Sequence, residues 1–293
     1  MSALCAEARP EGGCVFGKDF HPANFQPRTT GVMDPLSKQC APKTTGSELE
    51  FLALPANHFL RRTLILIPAL NEASVISQTV QEWRELGVWG VRVVDNGSVD
   101  TTAALASQAG ADVVSEPRRG YGAACWSGLL RIPSGVEWIL FSSADGSDRF
   151  QLSELGVWQA VIDEGADLVL GNRCLYPGAR ASLKMTQRLG SWLAGLILRF
   201  GWRVRFEDMG SRRAIRVAAY RSLGLKDRAF GWNVEMQIRA VELGVRFAEV
   251  PVAYFPRRGG VSKISGSWMG SFKASWGILS TLFKLWITKP FRR

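Results

Sequence analysis

The sequence predicts an α/β fold, with a mostly parallel, Rossmann-like sheet flanked by helices. Three observations predict it: short apolar runs typical of buried strands, stretches of helical apolar spacing between them, and brief loops that join the two in alternation. Right-handed crossovers are expected in such a sheet. The chain has 293 residues, 46% of them hydrophobic and 21% charged, which is room and composition for one large folded domain.

The regular elements follow an irregular N-terminal segment, residues 1–60, whose prolines and glycines interrupt any helical or strand period, so we expect it to be poorly ordered. Short apolar runs predict strands over Thr63–Ile67, Val91–Val94, Ala111–Ser115, Trp138–Ser142, Asp167–Leu170 and Arg246–Ala253. Helical spacing predicts helices over Glu72–Leu86, Asp100–Ala109, Gly122–Leu130, Leu152–Glu164, Leu183–Phe200 and Trp232–Leu243. We expect one domain over residues 61–266.

The C-terminal segment, residues 267–293, is basic and holds the clearest amphipathic helix, Ser267–Ile287. Its aromatic and aliphatic side chains share one narrow arc: Trp268, Phe272, Trp276, Leu279, Phe283 and Trp286. Lys273 and Lys284 lie on the opposite side. This pattern favours a helix in a membrane interface, and the alternative is packing on its own domain or on a partner.

Composition excludes several classes of protein. Five cysteines, an odd number in no metal-ligand spacing, argue against a disulfide scaffold or a zinc finger. No apolar run approaches the length of a membrane span, and no secretory signal is visible, so we expect a cytoplasmic protein. The net charge of +10 is concentrated between Arg173 and Arg216 and after Glu249. Two basic blocks indicate an anionic partner, unless they are simply solvated faces.

The loops after the predicted strands carry the polar groups from which a site could be built. Ligands of such sheets bind beyond the carboxyl ends of the strands. Asp145, with Asp148 close behind it, suits Mg²⁺ or Mn²⁺, although Asp-Gly-Ser is also ordinary turn chemistry. Asp95 can accept hydrogen bonds from a base or ribose, or it can cap a helix; Glu72 can simply favour a helix N-terminus. No dinucleotide-binding or P-loop glycine pattern is present.

Taken together and in order, these motifs resemble family 2 glycosyltransferases, over residues 64 to about 277. The dolichol-phosphate mannosyltransferase-like branch, which makes polyprenyl-phosphate sugars, is the most similar. The motifs are IPALNEA (Ile67–Ala73), VVDNGSVDTT (Val93–Thr102), EPRRGYGAA (Glu116–Ala124), SADGSD (Ser143–Asp148), LGNR (Leu170–Arg173), EDMGSRRAIR (Glu207–Arg216), FGWNVEMQ (Phe230–Gln237) and GGVSKISG (Gly259–Gly266). The resemblance implies the GT-A fold.

The resemblance also implies roles for particular residues. Donor-binding positions are Pro68, Leu70, Glu72, Asp95, Ser143, Asp145 and Arg173. Asp145 matches the second acid of the family's Asp-x-Asp motif, which binds Mg²⁺ or Mn²⁺ under the sugar nucleotide's diphosphate. Arg213 and Lys263 match basic positions near the acceptor phosphate, and Asp208 matches an acid of the sugar and acceptor region. The implied catalytic set is Asp145, Asp208 and Arg213, while Glu235 orients the sugar or braces the site.

Three features depart from the family pattern. Ser143 stands where the first acid of the motif is usual, which reduces the negative charge at the expected metal site. Arg212 stands where an aromatic residue is usual. Some relatives continue into membrane spans, whereas this sequence ends after one amphipathic helix.

The expected function is metal-dependent, inverting transfer of a hexose from a GDP- or UDP-sugar to a polyprenyl phosphate, by a protein peripheral on an anionic membrane surface. A phosphate acceptor is already an anion and needs no strong base. One alternative is a hydroxyl acceptor, with Asp208 as the base. The other is a non-catalytic sugar-nucleotide binding module, which only Ser143 recommends. No nucleic-acid partner is expected, because no recognition motif is visible.

Overall fold

The computed structural model describes residues 54–175, 195–204, 206, 208–259 and 268–288. The strands are β1 (Thr63–Ala69), β2 (Gly90–Asp95), β3 (Asp112–Ser115), β4 (Trp138–Phe141), β5 (Leu168–Asn172), β6 (Arg213–Arg216) and β7 (Phe247–Pro251). The helices are α1 (Ile76–Glu85), α2 (Thr102–Gln108), α3 (Tyr121–Leu129), α4 (Leu152–Asp163), α5 (residues 195–202), α6 (Val217–Leu223), α7 (Trp232–Glu242) and α8 (Trp268–Ile287). Short 3-10 helices span Phe59–Arg62 and Arg173–Leu175.

The sheet has seven strands in the order β3-β2-β1-β4-β6-β5-β7, and all its pairs are parallel except those of β6. This confirms the predicted fold class. β6 runs antiparallel to β4 and to β5, between which it is inserted. The sequence analysis missed this strand and the helix α6 that follows it. Because β6 is antiparallel, its first residue, Arg213, lies at the carboxyl ends of its neighbours: Arg213 pairs with Phe141 and with Leu170.

The core consists of two apolar clusters, one on each face of the sheet. Strand β1 supplies both: Leu64 and Leu66 face one cluster, and Ile65 and Ile67 face the other. A strand buried on both faces reads as a continuous apolar run, which is why β1 was predictable. Helix α3 lies close against the sheet, since a Cβ at Gly128 would overlap the side chains of Leu66 and Val94.

The segment before the sheet already belongs to this core. Phe59 and Leu60 are fully buried, so the packed structure includes residues ahead of position 61. The rest of the expected tail, residues 1–53, lies outside the described residues, and so do residues 183–194 of the helix predicted over Leu183–Phe200. The domain boundaries at 61 and 267 stay predictions.

Helix α8 packs on the domain with one face and presents the other to solvent. Leu282 is fully buried, and the hydroxyl of Thr281 donates to Oδ2 of Asp227 at 2.7 Å. Trp276, Phe283 and Trp286, from the predicted aromatic arc, are more than half exposed. More than half of the surface of these three side chains therefore lies outside the contact of this helix with the domain. Among the described residues, no helix is both long and apolar enough to cross a membrane.

Candidate active site

The carboxyl ends of three parallel strands bring the predicted donor loops to one edge of the sheet. In the register of β1 with β2, Pro68 lies opposite Val94 and Ala69 lies opposite Asp95. On the other side of β1, Leu66 pairs with the last residue of β4, Phe141. The loops after β1, β2 and β4 therefore begin side by side, as expected for a ligand site of this fold.

The loops after β1 and β2 hold each other through their own side chains. The backbone N–H of Asn71, at φ 51°, donates to the hydroxyl of Ser98 at 2.9 Å, and Val99 N–H donates to Oδ1 of Asn71 at 2.9 Å. Oδ1 of Asp95 accepts from Ser98 N–H at 3.3 Å, so Asp95 stabilises the turn after β2 and does not cap α2, which begins at Thr102. The Glu72 side chain is buried nearby.

Asp145 lies at the centre of a cluster of oxygen atoms at the end of β4. Its Oδ1 accepts from the hydroxyl of Ser143 at 2.8 Å, and from the hydroxyl and N–H of Ser147 at 2.6 and 2.9 Å. Burial alone would raise the pKa of Asp145, but these hydrogen bonds and the charge of Arg257 hold it below its ordinary value. Asp145 is therefore an anion at neutral pH, with hydroxyl groups around it.

Asp148 connects this loop with the second half of the chain. Its Oδ2 accepts from the N–H of Ser143 at 3.0 Å and from the hydroxyl of Ser211 at 2.7 Å. Ser143, which replaces the usual acid, is thereby held between two aspartates. Asp148 was identifiable from the sequence as an acid close behind Asp145, but Ser211 was not, because this contact joins residues 63 positions apart.

Asp208 forms a tight ion pair with Arg173. Nε and Nη2 of Arg173 donate to the two carboxylate oxygens at 2.8 and 2.7 Å, and the backbone N–H of Arg173 donates to Oδ2 at 2.8 Å. Burial alone would raise the pKa of Asp208, but the hydrogen bonds and charge of Arg173 lower it instead. Both predicted residues thus lie together, and both oxygens of the carboxylate are engaged.

Arg213 does not face the open edge of the sheet. Its guanidinium is fully buried and donates to the backbone carbonyls of Asn233, at 3.0 Å, and of Gly210. The expected contact of Arg213 with an acceptor phosphate stays a prediction, and in this structure its donors are turned toward the backbone of the domain. Burial lowers the pKa of Arg213, in spite of the acidic groups around it. Its contacts indicate that it fixes the turn before β6.

Arg212, the unusual arginine of the second half, also has a structural partner. It forms an ion pair with Glu154 of α4 at 2.6 Å, and both side chains are buried. Nη2 of Arg212 also donates to the carbonyl of Arg149 at 2.8 Å. The carboxylate of Glu154 accepts from Ala253 N–H at 2.6 Å, so this pair joins α4, β6 and the chain after β7. Arg212 can occupy this buried position, where an aromatic residue is usual in the family, because Glu154 neutralises its charge.

Three further basic and acidic residues complete the picture. The carboxylate of Glu235 accepts from the backbone N–H groups of Lys226 and Asp227, at 3.0 and 2.7 Å, and its predicted role of orienting the sugar or bracing the site stays a prediction. Lys263 lies outside the described residues, so its predicted contact with the acceptor phosphate stays a prediction. Arg257, from the basic block after Glu249, has its Nε 2.7 Å from Oδ2 of Asp145.

The residues around Asp145 fit a hard divalent cation. Hard cations take carboxylate and hydroxyl oxygens, and a positive group, the Arg257 guanidinium, already lies against this carboxylate. Among the described residues, no group of three acidic, histidine or cysteine side chains could by itself enclose a metal ion. A cation here would depend on few protein ligands, as Mg²⁺ usually does when it also binds substrate phosphates.

The model of glycosyl transferase family 2 matches residues 64–224. The chain belongs to this family. Its relatives include an uncharacterized glycosyltransferase of Mycobacterium tuberculosis, 36% identical over 223 residues, which are 74% of this chain and 97% of that protein. The polyprenol monophosphomannose synthase of Mycolicibacterium smegmatis is 31% identical over 238 residues, 76% of this chain and 89% of the synthase.

A third relative, the undecaprenyl-phosphate mannosyltransferase of Micrococcus luteus, is 29% identical over 233 residues, 74% of this chain and 94% of that enzyme. These names support the polyprenyl-phosphate branch of the family, and the protein is a glycosyltransferase. Among solved structures, glucosyl-3-phosphoglycerate synthase of Mycobacterium tuberculosis, in complex with Mn²⁺, UDP-glucose and phosphoglyceric acid, has a TM-score of 0.61. It is 21% identical, over 79% of this chain and 81% of the synthase, and confirms the GT-A fold.

Proposed function

We propose that the protein transfers a hexose from a nucleoside-diphosphate sugar to a polyprenyl phosphate, with inversion at the anomeric carbon. One observation carries the choice of acceptor: both carboxylate oxygens of Asp208 are engaged by Arg173, and its pKa is lowered. A carboxylate in this state is a poor general base. An acceptor that is already an anion needs no such base, whereas a hydroxyl acceptor does. The names of the mannosyltransferase relatives support the same acceptor.

The donor is proposed to lie across the ends of β1, β2 and β4. Pro68 lies near the end of β1, Leu70 and Glu72 follow that strand, and Asp95 ends β2, so these residues border the proposed place of the nucleoside. Asp145, supported by Ser143, would hold a divalent cation below the diphosphate. Bound there, Mg²⁺ or Mn²⁺ would stabilise the charge that develops on the leaving group. Structural neighbours with Mn²⁺ or Mg²⁺ support this assignment.

The acceptor phosphate is proposed to approach from the side of β5, β6 and the chain after β7. Arg173 presents a cation there, positioned by Asp208 and facing the ring of Tyr254 at 5.2 Å. Lys263 is proposed as a second cation for the same phosphate. Holding phosphate and sugar together lowers the entropic part of the barrier. Arg213 would act by positioning the turn at Gly210, and Arg173 is the proposed phosphate contact.

A membrane face is proposed for α8. Trp276, Phe283 and Trp286 are exposed on one side, while the opposite side is buried against the domain. Among the described residues 268–288 there is no acid, and Lys284 is exposed. An aromatic, acid-free surface suits the interface of an anionic bilayer. The protein would then act as a peripheral enzyme on the cytoplasmic face of the membrane.

The transfer reaction is tested with purified protein, single labelled GDP- or UDP-sugars, Mg²⁺ or Mn²⁺, and polyprenyl phosphate in detergent. Acid-labile label in the organic phase is the expected result, and the productive donor names the sugar. Label that goes only to hydroxyl acceptors would overturn the choice of acceptor. No transfer and no donor hydrolysis, with donor binding intact, would indicate a binding module instead.

The membrane face is tested by flotation with phosphatidylglycerol-rich vesicles and with phosphatidylcholine vesicles. We expect wild type to float with the anionic vesicles and the triple variant Trp276→Ser, Phe283→Ser, Trp286→Ser to remain in the dense fraction. Trp89→Ser is the matched control, because Trp89 is an exposed tryptophan outside α8. Equal flotation of the triple variant and wild type would contradict the assignment.

A further inference from the structure

Residues 252–259, which we call the site strap, run across the predicted metal site. The strap follows β7, and its backbone makes three contacts with the loops of the site. Val252 N–H donates to the carbonyl of Asn172 at 3.3 Å, and Phe255 N–H donates to that of Ser147 at 3.2 Å. Arg258 N–H donates to the carbonyl of Asp145 itself at 3.1 Å. The strap therefore has a definite position above the end of β4.

Side chains fasten the strap at both ends. Near its start, the buried Glu154–Arg212 pair binds both backbone groups of Ala253: Glu154 accepts from its N–H at 2.6 Å, and Arg212 donates to its carbonyl at 3.2 Å. Near its other end, the guanidinium of Arg258 forms an ion pair with Glu82 of α1. Arg257 lies between these two attachments, so the backbone on both sides holds it over the site.

The side chain of Arg257 reaches two acids of the donor site. Its Nε lies 2.7 Å from Oδ2 of Asp145, and its Nη2 lies 3.6 Å from Oε1 of Glu72. The Nε–H has no hydrogen-bond partner, so the contact with Asp145 is a charge pair without hydrogen-bond alignment. The side chain is 28% exposed, which leaves it accessible to a ligand from solvent. Arg257 thus neutralises Asp145 without being locked to it.

Two cations at one carboxylate oxygen repel each other, so a divalent metal bound by Asp145 competes with the guanidinium for Oδ2. Guanidinium groups bind phosphate oxygens in a bidentate manner, so a diphosphate arriving with the metal offers Arg257 a replacement partner within reach of the same strap. Each charge remains paired after this exchange, because the metal binds Asp145 and Arg257 binds the diphosphate.

We propose that Arg257 is a tethered cation that competes with the divalent metal for Asp145 and passes to the donor diphosphate when metal and donor bind. This inference rests on the proposed function. It predicts that the protein alone binds the metal weakly, and that metal and nucleoside diphosphate strengthen each other's binding.

The test is direct binding of Mn²⁺, measured as the loss of the electron paramagnetic resonance signal of free Mn²⁺, with and without GDP or UDP. A neighbouring charge shifts the binding of a proton to a carboxylate by about one to three decades. We therefore expect Arg257→Gln to bind Mn²⁺ alone at least about tenfold more tightly than wild type. We also expect the gain in Mn²⁺ affinity from the nucleotide to be smaller in this variant.

Three variants make the result specific. Arg119→Gln removes an equal charge from the exposed loop after β3, outside the strap, and should leave Mn²⁺ affinity close to wild type. Arg257→Lys keeps the charge and should also stay close to wild type. Asp145→Asn, in either background, should abolish the binding. Circular dichroism establishes that each variant is folded.

The opposite results are equally clear. Mn²⁺ affinity that is unchanged or weaker in Arg257→Gln, with Asp145→Asn still abolishing it, would overturn this inference and leave the transferase proposal standing. Equal tightening in Arg119→Gln would also overturn it, since the effect would then be one of general charge. Failure of transfer to polyprenyl phosphate is a separate readout, and it alone contradicts the proposed reaction.

Discussion

Asp145 and Asp208 are two buried carboxylates at the same edge of the sheet, held in opposite ways. Hydroxyl and backbone N–H groups surround Oδ1 of Asp145, and the only cation that contacts it among the described residues is the exposed-side Arg257. Asp208 is engaged on both oxygens by one arginine. Hydrogen bonds from neutral groups leave the negative charge of a carboxylate available to a ligand, whereas a bidentate arginine neutralises it within the protein. Asp145, on the donor side, can therefore exchange one cation for another, and Asp208, on the acceptor side, holds Arg173 in a fixed position.

The largest expected effect concerns the buried ion pair of the second half. Glu154→Gln leaves the charge of Arg212 buried and unpaired, which should reduce the free energy of unfolding by about 3–5 kcal/mol. Urea unfolding measures it. Glu164→Gln, at the exposed end of the same helix, is the control and should change stability by less than about 0.5 kcal/mol. Similar values for the two variants would mean that the pair contributes nothing to the fixed geometry of this side.

Asp145→Asn should show the reverse balance of activity and stability. The amide keeps hydrogen-bond acceptance from Ser143 and Ser147 but loses the charge, so we expect a small loss of stability and a decrease in kcat of about 10²–10³-fold. Steady-state transfer kinetics and thermal unfolding measure the two quantities. Asp163→Asn, an exposed aspartate on α4, is the matched control and should retain activity. If Asp145→Asn lost stability but kept kcat, Asp145 would belong with the structural carboxylates.

Removing Arg173 tests the fixed pair of the acceptor side. Arg173→Ala leaves Asp208 buried without its partner, at a cost of about 2–3 kcal/mol, reduced from the fully buried value because Arg173 is partly exposed. Asp208→Asn and the double variant complete a double-mutant cycle by urea unfolding. A coupling energy near zero would show that the two residues only lie close together.

The pH dependence of the free energy of unfolding gives a second test of the ion pair between Arg173 and Asp208. The pKa of Asp208 is below its unfolded value of about 3.8, so the folded state binds this proton less readily than the unfolded chain. The stabilisation is fully present above that pH and is lost as the pH falls through the folded pKa. We expect the loss of unfolding free energy between pH 5 and 2.5 to be smaller in Asp208→Asn than in wild type, by urea titration. An equal loss in both would contradict the lowered pKa.

The first half of the fold was predictable because its signals are local. β1, β2 and β4 are buried on both faces and read as apolar runs, and their polar loops follow directly in the sequence. β6 escaped notice because its four residues, RAIR, begin and end with arginine and gain strand structure only between two distant neighbours. Tertiary pairing of this kind leaves no periodic pattern in the sequence.

The site divides in the same way. Asp145, Asp95 and Glu72 were identifiable from strand ends, and Asp208 and Arg173 from the resemblance. The partners were not: Ser211 for Asp148, Glu154 for Arg212 and Arg257 for Asp145 each lie more than 50 residues away in sequence. The basic residues around Arg257 indicate that an anion binds there. Only the structure shows that the anion next to Arg257 is Asp145 of the same chain.

The ion pair between Arg173 and Asp208 also joins the two ends of the long segment between β5 and β6. The chain leaves the sheet at Asn172 and re-enters it at Arg213, and the pair joins the two crossing points. A segment closed at its base can change in length and composition at little entropic cost, because loop closure depends only weakly on length. Residues 174–207 between these anchors can therefore differ in length while the sheet stays unchanged, except where Leu198, Trp202 and Phe206 pack in the core.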